Sequence, residues 1–357
     1  MNDDLKILLL GIGSIGGIIA GKLLLANKNC TLITNNELIT NKILKDGIRI
    51  FESNKKDPII IKTNKILTST RYLNEKFDFL FFMMKTSQLE TAIMNSKYLL
   101  KPNGFAVFFQ NGIVEHIVYK HFKEAGILAS VIFNSIMISP GVYILSKSEK
   151  IIIGKIAPQT NDLILSTLQL YLSEVVSCEI SFNIIGITWS KLAINCSINA
   201  ITAISGQTLG KVLKKKFGKE IFFSIYKETV NIADKLGIKL EKIKIDPYML
   251  YADDETSFYK RCIQILLINQ IAKSYSSIYP SMLQDIKKGK KTEIDFLNGF
   301  ISDLGRDLKV ATPINDEMTS LVKKIERNYL KPDISLLRIA YELPQLEKSK
   351  LRDLQIH

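Results

Sequence analysis

The segment that follows the first few residues constrains the fold of this 357-residue chain more than any other part of it. An apolar run over residues 5–10 leads directly into a glycine-rich turn, and a helical pattern follows over residues 18–26. A G-x-G-x-x-G sequence between a buried strand and a helix is typical of dinucleotide-binding turns, where the helix N-terminus faces a pyrophosphate. The pattern predicts cofactor contacts from Gly11, Gly13, Ser14, Ile15 and Gly16.

Two other interpretations of this segment are possible in principle. A glycine-rich turn that binds no ligand has the same sequence pattern. A secretory signal peptide does not fit, because Asp3 and Asp4 precede the apolar run and glycines interrupt it. We therefore expect a strand–turn–helix unit rather than a targeting segment.

The first half of the chain alternates between strand and helix patterns. Strands are predicted at residues 30–34, 77–84 and 105–109, and helices at residues 37–44, 88–100, 113–122 and 162–176. Residues 47–51 and 58–62 form a hairpin or two further strands, and residues 128–138 and 150–153 are rich in strand formers, with a turn at Pro140-Gly141. This alternation predicts an α/β fold with a doubly wound parallel sheet.

From about residue 183 the periodicity becomes helical and strand signals nearly disappear. Helices are predicted at residues 184–205, 209–213, 220–236, 259–274, 282–287, 293–308 and 314–329, with an irregularity at Gly299. The change in pattern predicts three regions: a dinucleotide-binding domain over residues 1–181, an all-helical domain over residues 182–331, and a peripheral tail over residues 332–357.

Composition indicates a soluble intracellular enzyme. The formal charge is +13, but the lysines are spread along the chain without the interleaved aromatics of a nucleic-acid site, so we expect no nucleic-acid partner. No apolar run reaches the length of a membrane span. The four cysteines lack paired spacing and only three histidines occur, so we expect free thiols, no metal site and a cytoplasmic location.

Lys191, Asn195 and Asn199 follow one another at intervals of four residues inside an apolar stretch. On an α-helix this spacing places all three side chains on one face. A cation and two amides are poor core material, since burial without polar partners costs several kcal/mol, roughly. The stripe therefore predicts a polar ligand that faces this side of the helix.

Further candidate residues lie where predicted strands end. Lys85 follows the strand at residues 77–84 and Asn111 follows the strand at residues 105–109, and ligands of open α/β sheets bind beyond such strand ends. An exposed loop lysine and an ordinary Asn-Gly turn are the alternatives. Ser281 and Glu293 each have a structural explanation, as a helix N-cap and as a first-turn carboxylate.

Taken together, these motifs resemble the ketopantoate reductase (2-dehydropantoate 2-reductase) family, over about residues 6–315. The most specific parts are two spaced patterns, which follow the glycine motif in the family's order: Trp189-x-Lys191-x3-Asn195-x3-Asn199-x2-Thr202-Ala203 and Ser281-x3-Asp285…Thr292-Glu293-x-Asp295-x2-Asn298-Gly299…Thr312-Pro313. The resemblance implies a Rossmann domain, a helical C-terminal domain, and an active site between them. It also implies NADPH-dependent reduction of 2-dehydropantoate to pantoate, on the route to pantothenate and coenzyme A.

The resemblance also implies a role for each candidate residue. Lys191 matches the general acid, and Glu293 matches a residue that contacts the reacting oxygen and the cofactor. The substrate-binding positions are Asn111, Asn195, Asn199 and Ser281. Asn111 is shared with the cofactor, and Lys85 lies near it. The expected partner is a small 2-oxo acid, and the expected assembly is a monomer or homodimer.

Two features depart from the family pattern. Asn35 stands after the second strand, where the family usually has an arginine that binds the 2′-phosphate of NADPH. A neutral residue there favours neither NADPH nor NADH, so NADH remains an alternative cofactor. Lys42 or Lys45 could bind the 2′-phosphate in place of the arginine. The chain between Lys191 and Ser281 is also long, with extra material at residues 246–274. A reductase of another 2-oxo acid and a non-catalytic dinucleotide sensor therefore remain alternatives.

Overall fold

The structure, a computed structural model, describes residues 5–52, 56–133, 135–145, 150–252, 256–274 and 279–342. The chain divides into two compact units, Met1–Ile185 and Gly186–His357. The division falls four residues beyond the boundary expected from the change in sequence pattern.

The first unit contains all the strands of the described residues. They are β1 (Ile7–Leu10), β2 (Cys30–Ile33), β3 (Ile48–Glu52), β4 (Ile59–Ile61), β5 (Ile66–Leu67), β6 (Phe77–Phe82), β7 (Leu100–Phe108), β8 (Gly126–Val131), β9 (Ser135–Ser139), β10 (Val142–Leu145), β11 (Lys150–Lys155) and β12 (Ser177–Ile180). Its helices are α1 (Ser14–Leu25), α2 (Glu37–Asp46), α3 (Leu89–Ser96), α4 (Glu115–Phe122) and α5 (Asp162–Ser173).

The main sheet of this unit has the strand order β12-β11-β8-β7-β6-β1-β2-β5. All neighbouring strands are parallel except β8 and β11. Strands β1, β2 and β8 are buried along their whole length, as expected for a sheet covered by helices on its faces. The prediction of a doubly wound parallel sheet is confirmed. The strand order reverses between β1 and β6, and the carboxyl ends of strands at such a reversal are where ligands of this fold bind.

A second sheet, in the order β4-β3-β10-β9, lies in the same unit. Strands β3 and β4 pair antiparallel, which selects the hairpin from the two predicted arrangements. The Pro140-Gly141 turn joins β9 to β10, with Gly141 at φ +76°. The predicted β-rich stretch at residues 128–138 is thus split between two sheets. Strands β5, β10 and β12, which are at most four residues long, were not predicted from the sequence.

All the regular secondary structure among the described residues of the second unit is helical. Its helices are α6 (Ile184–Ser205), α7 (Leu209–Leu213), α8 (Lys216–Lys235), α9 (Pro247–Leu250), α10 (Phe258–Ser274), α11 (Ser281–Lys287), α12 (Asn298–Leu308) and α13 (Pro313–Glu326). α6 begins in the last two residues of the first unit. The predicted all-helical C-terminal region is confirmed, and the bounds of α6 and α7 match their predicted residues.

Helix α6 is long and apolar enough to pass a length-and-composition test for a membrane span, the one described helix that does. However, 72% of its most apolar 18-residue window is buried inside the protein. Leu192, Ala193 and Cys196 are fully buried. Helix α6 is therefore the core helix of the second unit.

Near the candidate residues, two predicted helix starts and one predicted irregularity differ from the structure. Pro280, not Ser281, occupies the N-cap position of α11, and Ser281 is the first helical residue. The irregularity predicted at Gly299 lies at Leu297, whose φ of −115° and ψ of −98° interrupt the helix. Glu293 precedes a short 3-10 turn, Ile294–Phe296, and α12 begins only at Asn298. A first-turn carboxylate on a long helix therefore does not account for Glu293.

The predicted peripheral tail is described as far as residue 342. Residues 334–342 are helical. The backbone N–H of Asp333 donates to the carbonyl oxygen of Ile204 at the end of α6 (2.8 Å), and Leu337 is fully buried. This part of the tail therefore packs against the second unit, and the remainder of the predicted tail lies outside the described residues.

Candidate active site

The glycine turn of the first unit has the shape that a pyrophosphate needs. Gly11 has φ +102°, and a Cβ added there would lie 2.7 Å from the backbone nitrogen of Met84. A Cβ added at Gly16 would lie 1.9 Å from the carbonyl oxygen of Gly11, whereas one added at Gly13 would meet nothing within 4 Å. Gly11 and Gly16 are thus required by close packing, and the open side at Gly13 is where a ligand can approach the backbone.

The first turn of α1 is also free for an anion. Gly13 is its N-cap, no side chain caps it, and it contains no acidic residue. The N–H groups of a first helical turn have no partner within the helix and carry partial positive charge. Ser14 and Ile15 lie in this turn, so the residues predicted from the motif lie together at an uncapped helix N-terminus.

Tyr143 contacts this turn, a role that was not predicted from the sequence. It lies on β10 of the second sheet, and its hydroxyl donates to the carbonyl oxygen of Ile12 at 3.1 Å. Its ring occupies the space beside Gly17, where an added Cβ would come within 2.1 Å of it. The one available signal was Gly17, a further glycine for which the G-x-G-x-x-G motif has no use.

Lys85 and Asn111 lie at adjacent strand ends. The side-chain nitrogen of Gln110 donates to the carbonyl oxygens of Phe82 (3.0 Å) and Met84 (3.1 Å), which ties the end of β7 to the end of β6. Met84 also packs against Gly11. Lys85 and Asn111 are both half-buried. The structure thus brings both residues to the edge of the sheet that carries the glycine turn.

Asn35 lies exposed after β2. The neighbouring Asn36 caps α2 by accepting from the backbone N–H of Ile39 (3.2 Å), so it is used for structure. Of the two lysines considered as substitutes, Lys42 forms an ion pair with Asp46 at 2.7 Å. No arginine follows β2 at this place in the chain.

Helix α6 carries the polar face predicted from spacing. Lys191 and Asn195 are half-buried, and Asn199 is buried with 6% of its surface exposed. Leu192, Ala193, Cys196 and Ile198 between them are apolar and buried, so the face is a polar stripe on a core helix. Ser281 is exposed in the first turn of α11. Its part in a site remains a prediction.

Lys191 and Glu293 interact electrostatically. Burial lowers the pKa of Lys191 from 10.5 to about 8, and the charge of Glu293 acts in the opposite direction. A lysine with this pKa is still largely protonated at neutral pH but gives up its proton far more readily than a solvated lysine. The structure therefore brings together the two residues predicted as catalytic and gives one of them a perturbed pKa, as is typical of functional sites.

The segment around Glu293 is fixed on both sides. The N–H of Thr292 donates to a carboxylate oxygen of Glu326 at 2.7 Å, and the Thr292 hydroxyl accepts from the N–H of Ile294 at 3.1 Å. Asp295 forms an ion pair with Lys323 at 2.5 Å. Glu326 and Lys323 both belong to α13, so this helix holds the segment that presents Glu293.

A metal site has no support in the part of the chain that the structure describes, since no group of three or more His, Cys, Asp or Glu side chains there could hold an ion. The cysteines are free thiols, of which Cys30, Cys178 and Cys196 are buried. Burial raises the pKa of Cys30 to about 12. The polar candidate side chains of the two units are amides, hydroxyls, two lysines (Lys85 and Lys191) and one carboxylate, which suits proton transfer and hydrogen bonding.

Comparison with known families covers both units. The family model described as ketopantoate reductase PanE/ApbA matches residues 7–158, and the model described as ketopantoate reductase PanE/ApbA C terminal matches residues 183–326. The chain belongs to the ketopantoate reductase family. The family resemblance stated from the sequence motifs is thereby confirmed. The C-terminal model includes Lys191, Asn195, Asn199, Ser281 and Glu293.

Several relatives in this family match over nearly their whole length. A 2-dehydropantoate 2-reductase of Aquifex aeolicus is 28% identical, over 92% of this chain and 99% of the relative. Two solved structures share the fold at 23% identity, each covering 91% of this chain and 99% of its own. They are D-mandelate dehydrogenase with NADH and anilino(oxo)acetate, at a TM-score of 0.80, and a PanE/ApbA family ketopantoate reductase from Ralstonia eutropha JMP134, at 0.76. At this identity the two structures support the fold alone.

Proposed function

We propose that this protein is an NADPH-dependent 2-dehydropantoate 2-reductase, which reduces the C2 ketone to give pantoate for pantothenate and coenzyme A synthesis. The observation that carries the proposal is the Lys191–Glu293 pair beside a face of two asparagines. Family membership and the relatives' names support the same reaction. A reducing, cytoplasmic setting is consistent with the free cysteines.

The bound nicotinamide supplies the hydride that C2 of the ketone accepts. As C2 gains the hydride, negative charge develops on its oxygen, and Lys191 donates a proton from Nζ to this oxygen. Solvent then returns a proton to Lys191. The Glu293 carboxylate stabilises the charged form of the lysine and keeps it an effective donor near neutral pH.

The other residues have binding roles in this proposal. Asn195 and Asn199 offer amide donors and acceptors for the substrate carboxylate and hydroxyl, one and two helical turns from Lys191. Ser281 serves as a further hydroxyl partner. On the first unit, the glycine turn binds the pyrophosphate, and Lys85 and Asn111 contact the cofactor and substrate from the ends of β6 and β7.

The test is NADPH consumption with 2-dehydropantoate by the wild type and by Lys191→Ala. Loss of a general acid typically costs a factor of 10²–10⁴, so we expect kcat to fall by roughly 100-fold or more, with little change in NADPH affinity. Lys235→Ala, which removes an exposed lysine of the same unit, is the matched control and should retain full activity. Normal turnover by Lys191→Ala would rule out the mechanism.

A second candidate is the reduction of a different 2-oxo acid with NADH. Two observations favour it: the fold shared with D-mandelate dehydrogenase, and the neutral, exposed Asn35 after β2. Comparison of kcat/KM for 2-dehydropantoate, phenylglyoxylate and small branched 2-oxo acids, each with NADPH and with NADH, separates the two candidates. Any turnover excludes the sensor without catalytic activity. A preference of tenfold or more for an aromatic oxo acid would replace 2-dehydropantoate as the substrate.

A further inference from the structure

A chain of buried hydrogen bonds crosses the second unit behind the catalytic pair. It begins at Glu228 on α8, passes through Asn315 on α13 to Asn298 at the start of α12, and ends on the carbonyl oxygen of Cys196 in α6. Asn298 and Asn315 are fully buried, and Glu228 is 8% exposed. Asn298 and the Thr312-Pro313 pair are part of the family pattern, yet the proposed chemistry gives them no role.

Glu228 anchors the chain by capping α13 from another helix. Its carboxylate accepts from the N–H groups of Ile314 and Asn315 at 2.9 Å each, and from the side-chain nitrogen of Asn315 at 2.7 Å. The helix's own N-cap, Thr312, makes no side-chain cap bond, and Pro313 has no N–H to satisfy. A carboxylate at a helix N-terminus is favoured by the exposed N–H groups and the helix dipole.

The carboxylate also fixes the direction of every amide along the chain. Because Glu228 accepts from the nitrogen of the Asn315 amide, the oxygen of that amide must face Asn298. The Asn298 nitrogen must then donate to this oxygen (2.9 Å) and to the carbonyl oxygen of Cys196 (3.2 Å). Both hydrogens of the Asn298 amide are used, so a reversed amide would place two acceptors against each other.

The last bond joins the two segments that carry the catalytic pair. Cys196 lies on α6 between Asn195 and Asn199, and Asn298 follows Glu293 by five residues, directly after the 3-10 turn and the break at Leu297. Trp189 on α6 packs against Phe300 on α12, with ring centroids 6.2 Å apart, and strengthens the same junction. Thr292 and Asp295 tie the Glu293 segment to α13, through Glu326 and Lys323.

We propose that Asn298 is a positioning residue, held in orientation by Asn315 and Glu228, which fastens the Glu293 segment to α6 so that the Glu293 carboxylate faces Lys191. The inference rests on the proposed function for its catalytic meaning. Its structural content is independent of the substrate, because it concerns how one carboxylate is held against one lysine.

The test compares Asn298→Leu and the isosteric Asn298→Asp with Ser302→Ala. Ser302 lies one turn further along α12, is buried, and its hydroxyl has no hydrogen-bond partner among the described residues, so its loss perturbs the same helix without touching the chain. Displacement of Glu293 removes the interaction that raises the pKa of Lys191. Both Asn298 variants should therefore lower kcat about tenfold and shift the alkaline limb of the kcat/KM profile to lower pH, while the KM for NADPH stays within about twofold.

A second readout does not depend on activity. Reductive ¹³C-methylation of the lysines, with the Lys191 signal identified from its absence in Lys191→Arg, reports the titration of Lys191 directly. It should titrate near pH 8 in the wild type and in Ser302→Ala, and at lower pH in the Asn298 variants. Asn315→Ser, which removes the amide oxygen that accepts from Asn298, should shift the Lys191 titration in the same direction. This variant keeps the test valid if an Asn298 variant does not fold.

The outcomes separate the two claims. An unshifted Lys191 titration in folded Asn298 and Asn315 variants overturns the positioning role, even if kcat falls. A shifted titration in a protein that reduces no 2-oxo acid supports the positioning role and rejects the proposed function.

Discussion

Gly13 and Gly17 stand one helical turn apart yet have opposite surroundings. An added Cβ meets nothing within 4 Å at Gly13, and meets the Tyr143 ring at 2.1 Å at Gly17. We expect Gly13→Ala to fold with near-native stability but to bind NADPH at least tenfold more weakly, because the methyl group occupies the approach to the pyrophosphate. Gly17→Ala should instead lower the free energy of unfolding by about 1–3 kcal/mol.

Thermal melting and cofactor titration of the two variants distinguish these effects. Each variant is the other's control, since both add one methyl group to the same turn. Native cofactor affinity in Gly13→Ala would show that no ligand approaches the backbone there.

Glu115, in the first turn of α4, is a residue whose environment could not be foreseen from sequence. Both carboxyl oxygens are buried, and burial raises the pKa of Glu115 to about 7, against hydrogen bonds from the backbone at Glu115 and Val114 that act in the opposite direction. Between about pH 4.5 and pH 7, the folded protein therefore keeps the carboxyl proton of Glu115, while the unfolded chain has lost it. Burial of Glu115 therefore does not lower the free energy of unfolding below about pH 4.5. It lowers it increasingly as the pH rises to about 7, and the loss stays constant above that pH.

Glu115→Gln should consequently raise the free energy of unfolding at pH 8 by on the order of 1–3 kcal/mol and change it little at pH 4.5. Urea unfolding at both pH values measures this difference. Glu124→Gln, which alters an exposed carboxylate just beyond the same helix, should have little effect at either pH. Equal effects of Glu115→Gln at the two pH values would contradict the assigned environment.

Among the elements, α6 was predictable and the short strands were not. A helix of 22 residues gives six turns over which the periodicity accumulates, and its polar stripe identified Lys191, Asn195 and Asn199. Strand β12 has four residues and β5 has two, too few for a pattern of period two to differ from chance. Their existence depends on pairing with distant strands, which local sequence does not encode.

The same contrast applies to the site. Lys191 became a candidate from its spacing, whereas Glu293 became one only through the family resemblance. The Asn298–Asn315–Glu228 chain joins residues up to 87 positions apart, and no local pattern marks it. The structural explanation offered for Glu293 assumed that a long helix begins there, whereas α12 begins only after the break at Leu297.

The second sheet supports the glycine turn, because its strand β10 carries Tyr143, which contacts that turn. Tyr143→Phe removes the hydrogen bond to Ile12 and should cost about 1 kcal/mol of stability while weakening NADPH binding several-fold. Tyr226→Phe is the matched control: it removes a similar buried bond, to the carbonyl oxygen of Pro247 at 2.9 Å, in the second unit. It should lose similar stability and bind NADPH normally. Equal NADPH affinities of Tyr143→Phe and Tyr226→Phe would show that β10 does not shape the glycine turn.

At the scale of the whole molecule, the charge of +13 is carried by lysines spread over both units rather than by one patch. Such a distribution produces a weak attractive field for anions, which salt screens over a distance of about 8–10 Å at physiological ionic strength. NADPH carries one phosphate more than NADH, so it feels this field more strongly. This field affects the association of the cofactor with the protein, but not the proton transfer from Lys191.

We therefore expect the KM for NADPH to rise about threefold or more between 50 and 300 mM NaCl, with a smaller rise for NADH and a nearly constant kcat. Steady-state kinetics with both cofactors at several salt concentrations measure this. Asn35→Arg places a cation after β2, where the family usually binds the 2′-phosphate, and should steepen the salt dependence for NADPH alone. Identical salt dependence for the two cofactors in both proteins would mean that the 2′-phosphate lies away from Asn35, and that cofactor preference is set elsewhere on the first unit.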